Sequence, residues 1–258
     1  MQAEARHRLK KGYGIRVFSR PDALKAWLEG QGLTLESRRD FITDAGQIAP
    51  EFSLGSDGVE FFVHSPFGWR QDDSKVVDRN GDSLVMQATF EVSGKQTLAI
   101  LGSDVDHTAI SDIVTTTKKH KREKRLEWDI MKLPHHCSYL SLGPDRGKEK
   151  TKPVENVKWL FESASHRGCY IVSLSDPIPE KGTDEDKSDQ PPHRQAANYY
   201  REDVVKEKDG EFRVTMEYPN TDNPKPVEIE ITMLGASLKK RLAVGGAAAT
   251  TRNAPRAG

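Results

Sequence analysis

The stretch at residues 128–139, WDIMKLPHHCSY, constrains the fold more than any other part of this 258-residue chain. Its apolar first half favours a buried β-strand, and Pro134 ends that strand because proline cannot continue a ladder of hydrogen bonds. His135 and His136 follow at once, and imidazole side chains bind metals or form strong hydrogen bonds. The stretch therefore predicts a functional site carried at the end of a rigid strand. In the simpler interpretation, the two histidines only cap backbone groups.

A second polar cluster follows another predicted strand. Residues 83–92 alternate apolar and polar side chains, which is typical of a strand with one buried face. Gly94 allows a tight turn, so residues 96–101 are predicted to return antiparallel. The segment GSDVDH at residues 102–107 comes next and contains Asp104. We therefore expect Asp104 to lie, like the histidine pair, where a buried strand ends.

The remaining pattern mixes strands and helices, which predicts an α/β (α+β) fold. Further strands are predicted at residues 59–64, 169–174, 212–216 and 227–233, and helices at residues 22–30, 107–117, 153–164 and 193–200. We place these elements in one domain, residues 1–244. Residues 1–14 are expected to be poorly anchored, residues 180–189 to form a mobile loop, and residues 245–258 to be a disordered tail.

The amino-acid composition limits the classes of protein to which this chain can belong. Lys plus Arg and Asp plus Glu are equal at 39 each, so no global positive field indicates a nucleic-acid partner, although a local basic patch remains open. The charged amino terminus does not resemble a secretory signal, and no apolar run reaches the roughly 20 residues that a membrane helix needs. Cys137 and Cys169 are too few for a disulfide framework. These features favour a cytoplasmic protein with no membrane association.

Asp104, His135, His136 and His193 share one property, because each lies just beyond the end of a predicted apolar element. If these ends lie at the same edge of a sheet, a carboxylate and two or three imidazoles meet there. That donor set suits Zn²⁺, Mn²⁺ or Fe²⁺ and does not suit Ca²⁺. A carboxylate that bridges two ions would give a dinuclear centre, which activates water for hydrolysis.

Three motifs, in order along the chain, carry a family resemblance: NGDSLV at residues 80–85, LGSD at residues 101–104 and DIMKLPHHCS at residues 129–138. This set resembles the carboxy-terminal half of metallo-β-lactamase-fold hydrolases of the competence-protein ComEC type. Members of that family typically have N-x-x-S-L-V, L-x-G-D and D-V-L-K-x-x-H-H-G-S. The resemblance covers residues 59–200 approximately. It implies a metallo-β-lactamase-like layered αββα sandwich, in which two helix-faced β-sheets each contribute to the site.

The resemblance also implies roles for individual residues. Asp104 matches the metal-bridging aspartate, and His135 or His136 matches the late metal-ligand histidine. His193 lies in a stretch resembling the family's late G-H-P segment, and would face phosphate or orient a ligand. The implied metal ligands are thus Asp104, His135 and His136, and the implied catalytic residues are Asp104, His136 and His193. The implied metal is zinc or manganese, and a dinuclear centre is one form it could take.

The chain departs from the family pattern in three places. Cys137 stands where the family has a glycine after the histidine pair, and Ser103 is inserted into the Gly-Asp motif. The family's first metal motif, H-x-H-x-D-H, does not occur in the sequence, where His7 and His64 stand alone. A separately encoded amino-terminal half, or a homo-oligomer, is therefore the expected partner for an intact centre. The other interpretations are a truncated gene product and a degenerate copy.

The leading predicted function is a metal-dependent hydrolase that acts on a phosphodiester, such as nucleic acid, or on a related ester. The first alternative is a non-catalytic interaction subunit that kept the scaffold and lost the chemistry. The second is a nucleic-acid-binding module that uses the basic run KKHKREKR at residues 118–125, which otherwise reads as a solvated connection. A further hypothesis makes Cys137 a nucleophile activated by the neighbouring imidazoles.

Overall fold

The computed structural model describes residues 2–73 and 80–239, where ten strands form one large sheet and two small ones. In chain order the strands are β1 (Val17–Phe18), β2 (Ile42–Thr43), β3 (Val59–Ser65), β4 (Val85–Val92), β5 (Lys95–Leu101), β6 (Trp128–Lys132), β7 (Ser165–Ser173), β8 (Glu211–Val214), β9 (Ile229–Thr232) and β10 (Gly235–Leu238). The large sheet has the order β3-β4-β5-β6-β7-β8, and the small sheets pair β1 with β2 and β9 with β10.

The large sheet is antiparallel at one end and parallel at the other. β3 pairs with β4, and β4 with β5, in antiparallel register, whereas β5 to β8 are parallel. The turn between β4 and β5 is tight, with positive φ at Ser93 (52°) and Gly94 (79°), as a two-residue hairpin requires. Because β5 to β8 run in the same direction, their carboxyl ends lie along one edge of the sheet. The loops that follow these strands meet at that edge.

Helices precede and connect the strands. In chain order they are α1 (Gln2–Lys11), α2 (Asp22–Gly30), α3 (Leu54–Asp57), α4 (Gly68–Asp73), α5 (His107–Lys119), α6 (Glu155–Lys158), α7 (Asp184–Lys187) and α8 (Arg194–Tyr199), with π-helical continuations of α6 at Trp159–Ser163 and of α8 at Tyr200–Val205. The main core lies between the large sheet and helices α5, α6 and α8. The chain is therefore a mixed α/β fold, as the sequence predicts.

Trp128 fixes the beginning of β6 in this core. Its indole is fully buried, and its Nε1–H donates a hydrogen bond to the carbonyl of Leu160 at 2.9 Å. The ring also meets Phe161 edge to face, with ring centroids 6.1 Å apart. An indole that is buried and hydrogen-bonded in this way holds one orientation. The strand that carries the histidine pair is thus anchored at the end opposite to them.

Helix α5 begins directly after the second polar cluster. Asp106 is its N-cap residue, and the carboxylate accepts a hydrogen bond from the Ala109 N–H at 2.8 Å. Ile110, Ile113 and Val114 follow at helical spacing and are buried in the core. The loop that carries Asp104 is therefore tied to a rigid helix on one side and to β5 on the other.

Two local predictions are wrong. Residues 2–11, expected to be poorly anchored, form α1, where Leu9 is buried and Arg38 donates hydrogen bonds to the carbonyls of Leu9 and Lys10. Within residues 180–189, expected to be a mobile loop, α7 forms, and its Asp186 carboxylate pairs with Arg194 at 3.1 Å. In both cases a residue outside the segment binds to it and stabilises its structure. The sequence of the segment alone does not show such a contact.

One large sheet is present in residues 2–73 and 80–239, whereas the predicted αββα sandwich needs two. The layered sandwich therefore stays a prediction. The predicted disordered tail at residues 245–258 lies outside the described residues. None of the helices in the described part of the chain has the length and hydrophobicity of a membrane-spanning segment.

Candidate functional site

The carboxyl edge of the parallel strands carries the predicted site. Asp104 lies in the loop after β5, and His135 and His136 lie in the loop after β6. Leu174 follows β7 directly at the same edge. Neighbouring parallel strands bring these loops side by side, which is why residues far apart in sequence meet here.

Two backbone hydrogen bonds join the first two loops. The Gly102 N–H donates to the Lys132 carbonyl at 3.1 Å, and the His135 N–H donates to the Ser103 carbonyl at 2.9 Å. Gly102 is needed for this approach, because a Cβ there would lie only 2.9 Å from the Lys132 oxygen. The Gly-Ser-Asp motif and the histidine pair therefore form one rigid unit.

The backbone of the histidine loop is strained. His135, His136 and Cys137 all have positive φ, at 48°, 50° and 64°. A non-glycine residue in this region costs about 1–3 kcal/mol, and such residues cluster at functional sites. The loop is held in place by hydrogen bonds from the Ser138 N–H to the His135 carbonyl (2.9 Å) and from the His193 N–H to the Cys137 carbonyl (3.1 Å). Cys137 thus adopts the conformation that favours the glycine of the family motif.

His136 faces Asp104. Its Nδ1 lies 2.6 Å from the Leu174 carbonyl oxygen, and its Nε2 lies 3.4 Å from Asp104 Oδ1. Because a carbonyl only accepts, Nδ1 must carry the proton, so Nε2 of the neutral ring directs a lone pair toward a carboxylate oxygen. Two such lone pairs repel each other. The contact is attractive when a second proton makes the imidazole cationic, or when a cation lies between the two atoms.

Two further imidazole nitrogens in the site are buried and unpartnered. They are Nδ1 of His135 and Nε2 of His193, neither of which has a hydrogen-bond partner in the part of the chain that the structure describes. His193 Nδ1 accepts from the Tyr139 N–H at 3.4 Å, which leaves the proton on Nε2. Buried polar atoms of this kind are rare in folded proteins, because each costs about 1–3 kcal/mol. They are the atoms that a bound ion or an oxygen of a ligand would satisfy.

Two histidines of the site, His135 and His193, have pKa values that favour the neutral form. Burial lowers the pKa of His193 to about 4, and the charge of Arg146 and the neighbouring His135 act in the same direction. Burial also lowers the pKa of His135, an effect that the negative charge of Asp104 partly offsets. Neutral imidazole is the form that binds metals.

Lys132 belongs to the site although the sequence analysis did not select it. It is the last residue of β6, and burial lowers the pKa of its ammonium group, while the nearby Asp104 charge opposes that shift. An ammonium group beside the site can neutralise an anionic ligand. The available signal was its place in the DIMK motif, where a lysine interrupts an apolar strand.

The hypothesis that Cys137 acts as a nucleophile is wrong. Its side chain is fully buried, and burial raises the pKa of the thiol to about 12. The thiolate is the reactive form of cysteine, and this thiol stays protonated at neutral pH. Cys169 is buried as well, and both cysteines are free.

Of the predicted site residues, Asp104 and His136 are in contact, while His135 lies close enough to His193 to help lower its pKa. Among residues 2–73 and 80–239, no three His, Cys, Asp or Glu side chains form a group that could hold a metal ion. The structure thus shows an Asp104–His136 pair at the centre of the site.

Comparisons with known proteins add no relative. No protein-family model, no curated protein and no solved structure matches this chain. The resemblance to metallo-β-lactamase-fold hydrolases accordingly rests on the three sequence motifs alone.

Proposed function

We propose that this chain supplies the carboxy-terminal half of a metallo-β-lactamase-like, metal-dependent hydrolase that acts on a phosphodiester or a related ester. The observation that carries the proposal is the Asp104–His136 contact at 3.4 Å, in which a carboxylate and an imidazole lone pair face each other. A divalent cation between them would turn this repulsion into coordination. A carboxylate with imidazole is a donor set that zinc and manganese accept.

The residues around this pair fit hydrolytic chemistry. A bound zinc or manganese ion would supply Lewis acidity and lower the pKa of bound water. Asp104 and His136 would hold it, and the Leu174 carbonyl keeps the Nε2 of His136 free for binding. His193, whose buried Nε2–H has no hydrogen-bond partner among the described residues, would orient a ligand of the centre. Lys132 places a positive charge beside the same site.

The proposed centre needs ligands that this pair does not provide, because zinc usually has four. His135, the other histidine of the motif, is a further candidate, since its buried Nδ1 has no partner among the described residues. The remaining ligands would come from an amino-terminal half encoded separately, or from a second copy of the chain. The two unpaired cysteines fit a cytoplasmic setting, where thiols stay reduced.

Metal titration of the purified chain tests the proposal. Isothermal titration calorimetry with zinc, and separately with manganese, should show saturable binding near one ion per chain. Asp104→Ala should weaken that binding by about tenfold or more, because it removes one of the two ligands. Asp222→Ala is the matched control, since Asp222 is an exposed loop residue away from the site. Circular dichroism of each variant confirms that it is folded.

The outcome separates the hydrolase from the non-catalytic interaction subunit. Saturable binding that depends on Asp104, together with metal-stimulated cleavage of a phosphodiester model substrate after addition of a second half, would support the hydrolase. If neither metal binds, or if Asp104→Ala and Asp222→Ala bind alike, the hydrolase proposal fails for this chain. The non-catalytic interaction subunit then becomes the better description of this chain.

A further inference from the structure

A basic cleft lies at the carboxyl end of α5, away from the Asp104 loop at its amino end. The helix has 13 residues, which separates the two regions by about 20 Å. The cleft consists of an inner cavity of about 270 Å³ and an open outer groove of about 760 Å³. Gly46, Phe62 and Arg122 line both, so the two cavities are adjacent. The run of residues 118–125, which the proposed hydrolase does not use, supplies most of one wall.

Only part of the positive charge of this wall is paired with carboxylates of the described residues. The run contains six Lys or Arg residues and one Glu. Arg125 is paired with Glu60 at 2.6 Å. Lys121 and Lys124 are exposed, line the outer groove and form no ion pair with any described residue. The outer groove is lined by four cationic side chains and by the two carboxylates of Glu123 and Glu127, which leaves an excess of positive charge that attracts phosphates.

His64, one of the residues that line the inner cavity, has an unpartnered ring nitrogen. His64 is 3% exposed, and its Nε2 lies 2.8 Å from the Arg125 carbonyl oxygen, so Nε2 carries the proton. Its Nδ1 is therefore a lone pair, and this buried atom has no hydrogen-bond partner in the part of the chain that is described. A ligand that satisfies it must present an N–H or O–H group. The phosphodiester group of a nucleic acid has no such donor at neutral pH, whereas bases and sugar hydroxyls do.

The shape of the cleft indicates what kind of ligand fits. A cavity of about 270 Å³ has room for a single unpaired base or sugar and excludes a double helix. The outer groove extends from it with cationic side chains and with Ile48, an apolar residue that is 41% exposed. Single-stranded nucleic acid is bound in this way, with phosphates on Lys and Arg and bases on apolar surfaces.

We propose that the basic cleft binds single-stranded nucleic acid, with phosphates along the outer groove at Lys121 and Lys124 and one nucleotide inserted in the inner cavity beside His64. The site is independent of the proposed metal centre. It gives a role to the basic run and to the unpartnered nitrogen of His64.

Fluorescence anisotropy with a labelled single-stranded oligonucleotide of about 12 nucleotides tests the proposal. The full chain is used, with a chelator present so that metal at the Asp104 site does not contribute. The double variant Lys121→Gln with Lys124→Gln should bind about tenfold more weakly at low salt, and its slope of log affinity against log salt should be shallower by about 1.4. The control is Lys25→Gln with Lys206→Gln, which removes the same charge from exposed positions elsewhere.

Competition experiments identify which kind of phosphate-containing ligand the basic cleft binds. Unlabelled single strands should displace the probe far better than a duplex of the same sequence or a free mononucleotide at equal phosphate concentration. Equal competition by the duplex, or by the mononucleotide, would overturn the assignment to single strands. Absence of binding, absence of a salt effect, or equal weakening in the two double variants would overturn the proposed site itself.

Discussion

Replacing Gly102 with alanine is expected to lower the free energy of unfolding by about 3 kcal/mol. The new Cβ would lie 2.9 Å from the Lys132 carbonyl oxygen and 3.0 Å from the Pro134 nitrogen. Both are backbone atoms, so neither can move aside as the tip of a flexible side chain does. β5 and β6 must separate at this point, which breaks the hydrogen bond from the Gly102 N–H to Lys132. Urea denaturation followed by circular dichroism measures the change.

The same substitution should weaken zinc binding, because separating the two loops moves Asp104 away from His136. Gly55→Ala is the matched control. Gly55 lies in α3, where an added Cβ meets no atom within 4 Å. Alanine there should be neutral, or stabilising by up to about 1 kcal/mol, since it reduces the freedom of the unfolded chain. Equal unfolding free energies for Gly102→Ala and the wild type would show that the close approach is not a constraint.

The ends of the strands could be predicted from the sequence, because they are local features. The apolar segment of β6 ends where Pro134 removes a hydrogen-bond donor, and the hairpin between β4 and β5 requires Gly94. These two signals place Asp104 and the histidine pair at the termini of buried strands. Their meeting at one edge follows from β5 and β6 being parallel, which the crossover through α5 allows.

The contacts within the site could not be predicted in the same way. The carbonyl that orients His136 belongs to Leu174, 38 residues later, and a backbone acceptor has no sequence signature. The lowered pKa of Lys132 arises from burial, which depends on the packing of other segments. Positive φ at His135 and Cys137 is equally hidden, because neither residue is glycine. Side-chain identity indicated the chemistry, and tertiary contacts determine which atoms are left free for a ligand.

The role of the basic run, residues 118–125, could not be predicted from its sequence either. Its charge is evident in the sequence, but a solvated connection and a binding surface have the same composition. The two are distinguished by the cavity behind the run and by the unpartnered nitrogen of His64, a residue that lines this cavity. His64 comes from β3, more than fifty residues earlier, so no pattern within the run could indicate it.

Acidification is expected to destabilise the fold, because His64 is buried in its neutral form. Burial lowers the pKa of His64 from 6.5 to about 4, whereas the imidazole of the unfolded chain keeps its ordinary value. Between these two values the unfolded state binds a proton that the folded state does not, so unfolding becomes more favourable as the pH falls. The shift corresponds to about 3 kcal/mol lost between neutral pH and about pH 4. At pH values above the pKa of the histidine in the unfolded chain, the contribution of His64 to the free energy of unfolding no longer changes.

His64→Gln isolates this effect. The glutamine amide can donate to the Arg125 carbonyl, as Nε2 does in the wild type, but it does not titrate. Urea denaturation over a series of pH values should give a shallower curve for the variant, by about one proton at pH values between the two pKa values. The curve is not expected to be flat, because His193 also has a pKa lowered to about 4 and acts in the same direction. His7→Gln, at an exposed position of α1, should follow the wild type. If His64→Gln follows the wild type as well, His64 titrates alike in the folded and unfolded chains, and its burial in the neutral form is refuted.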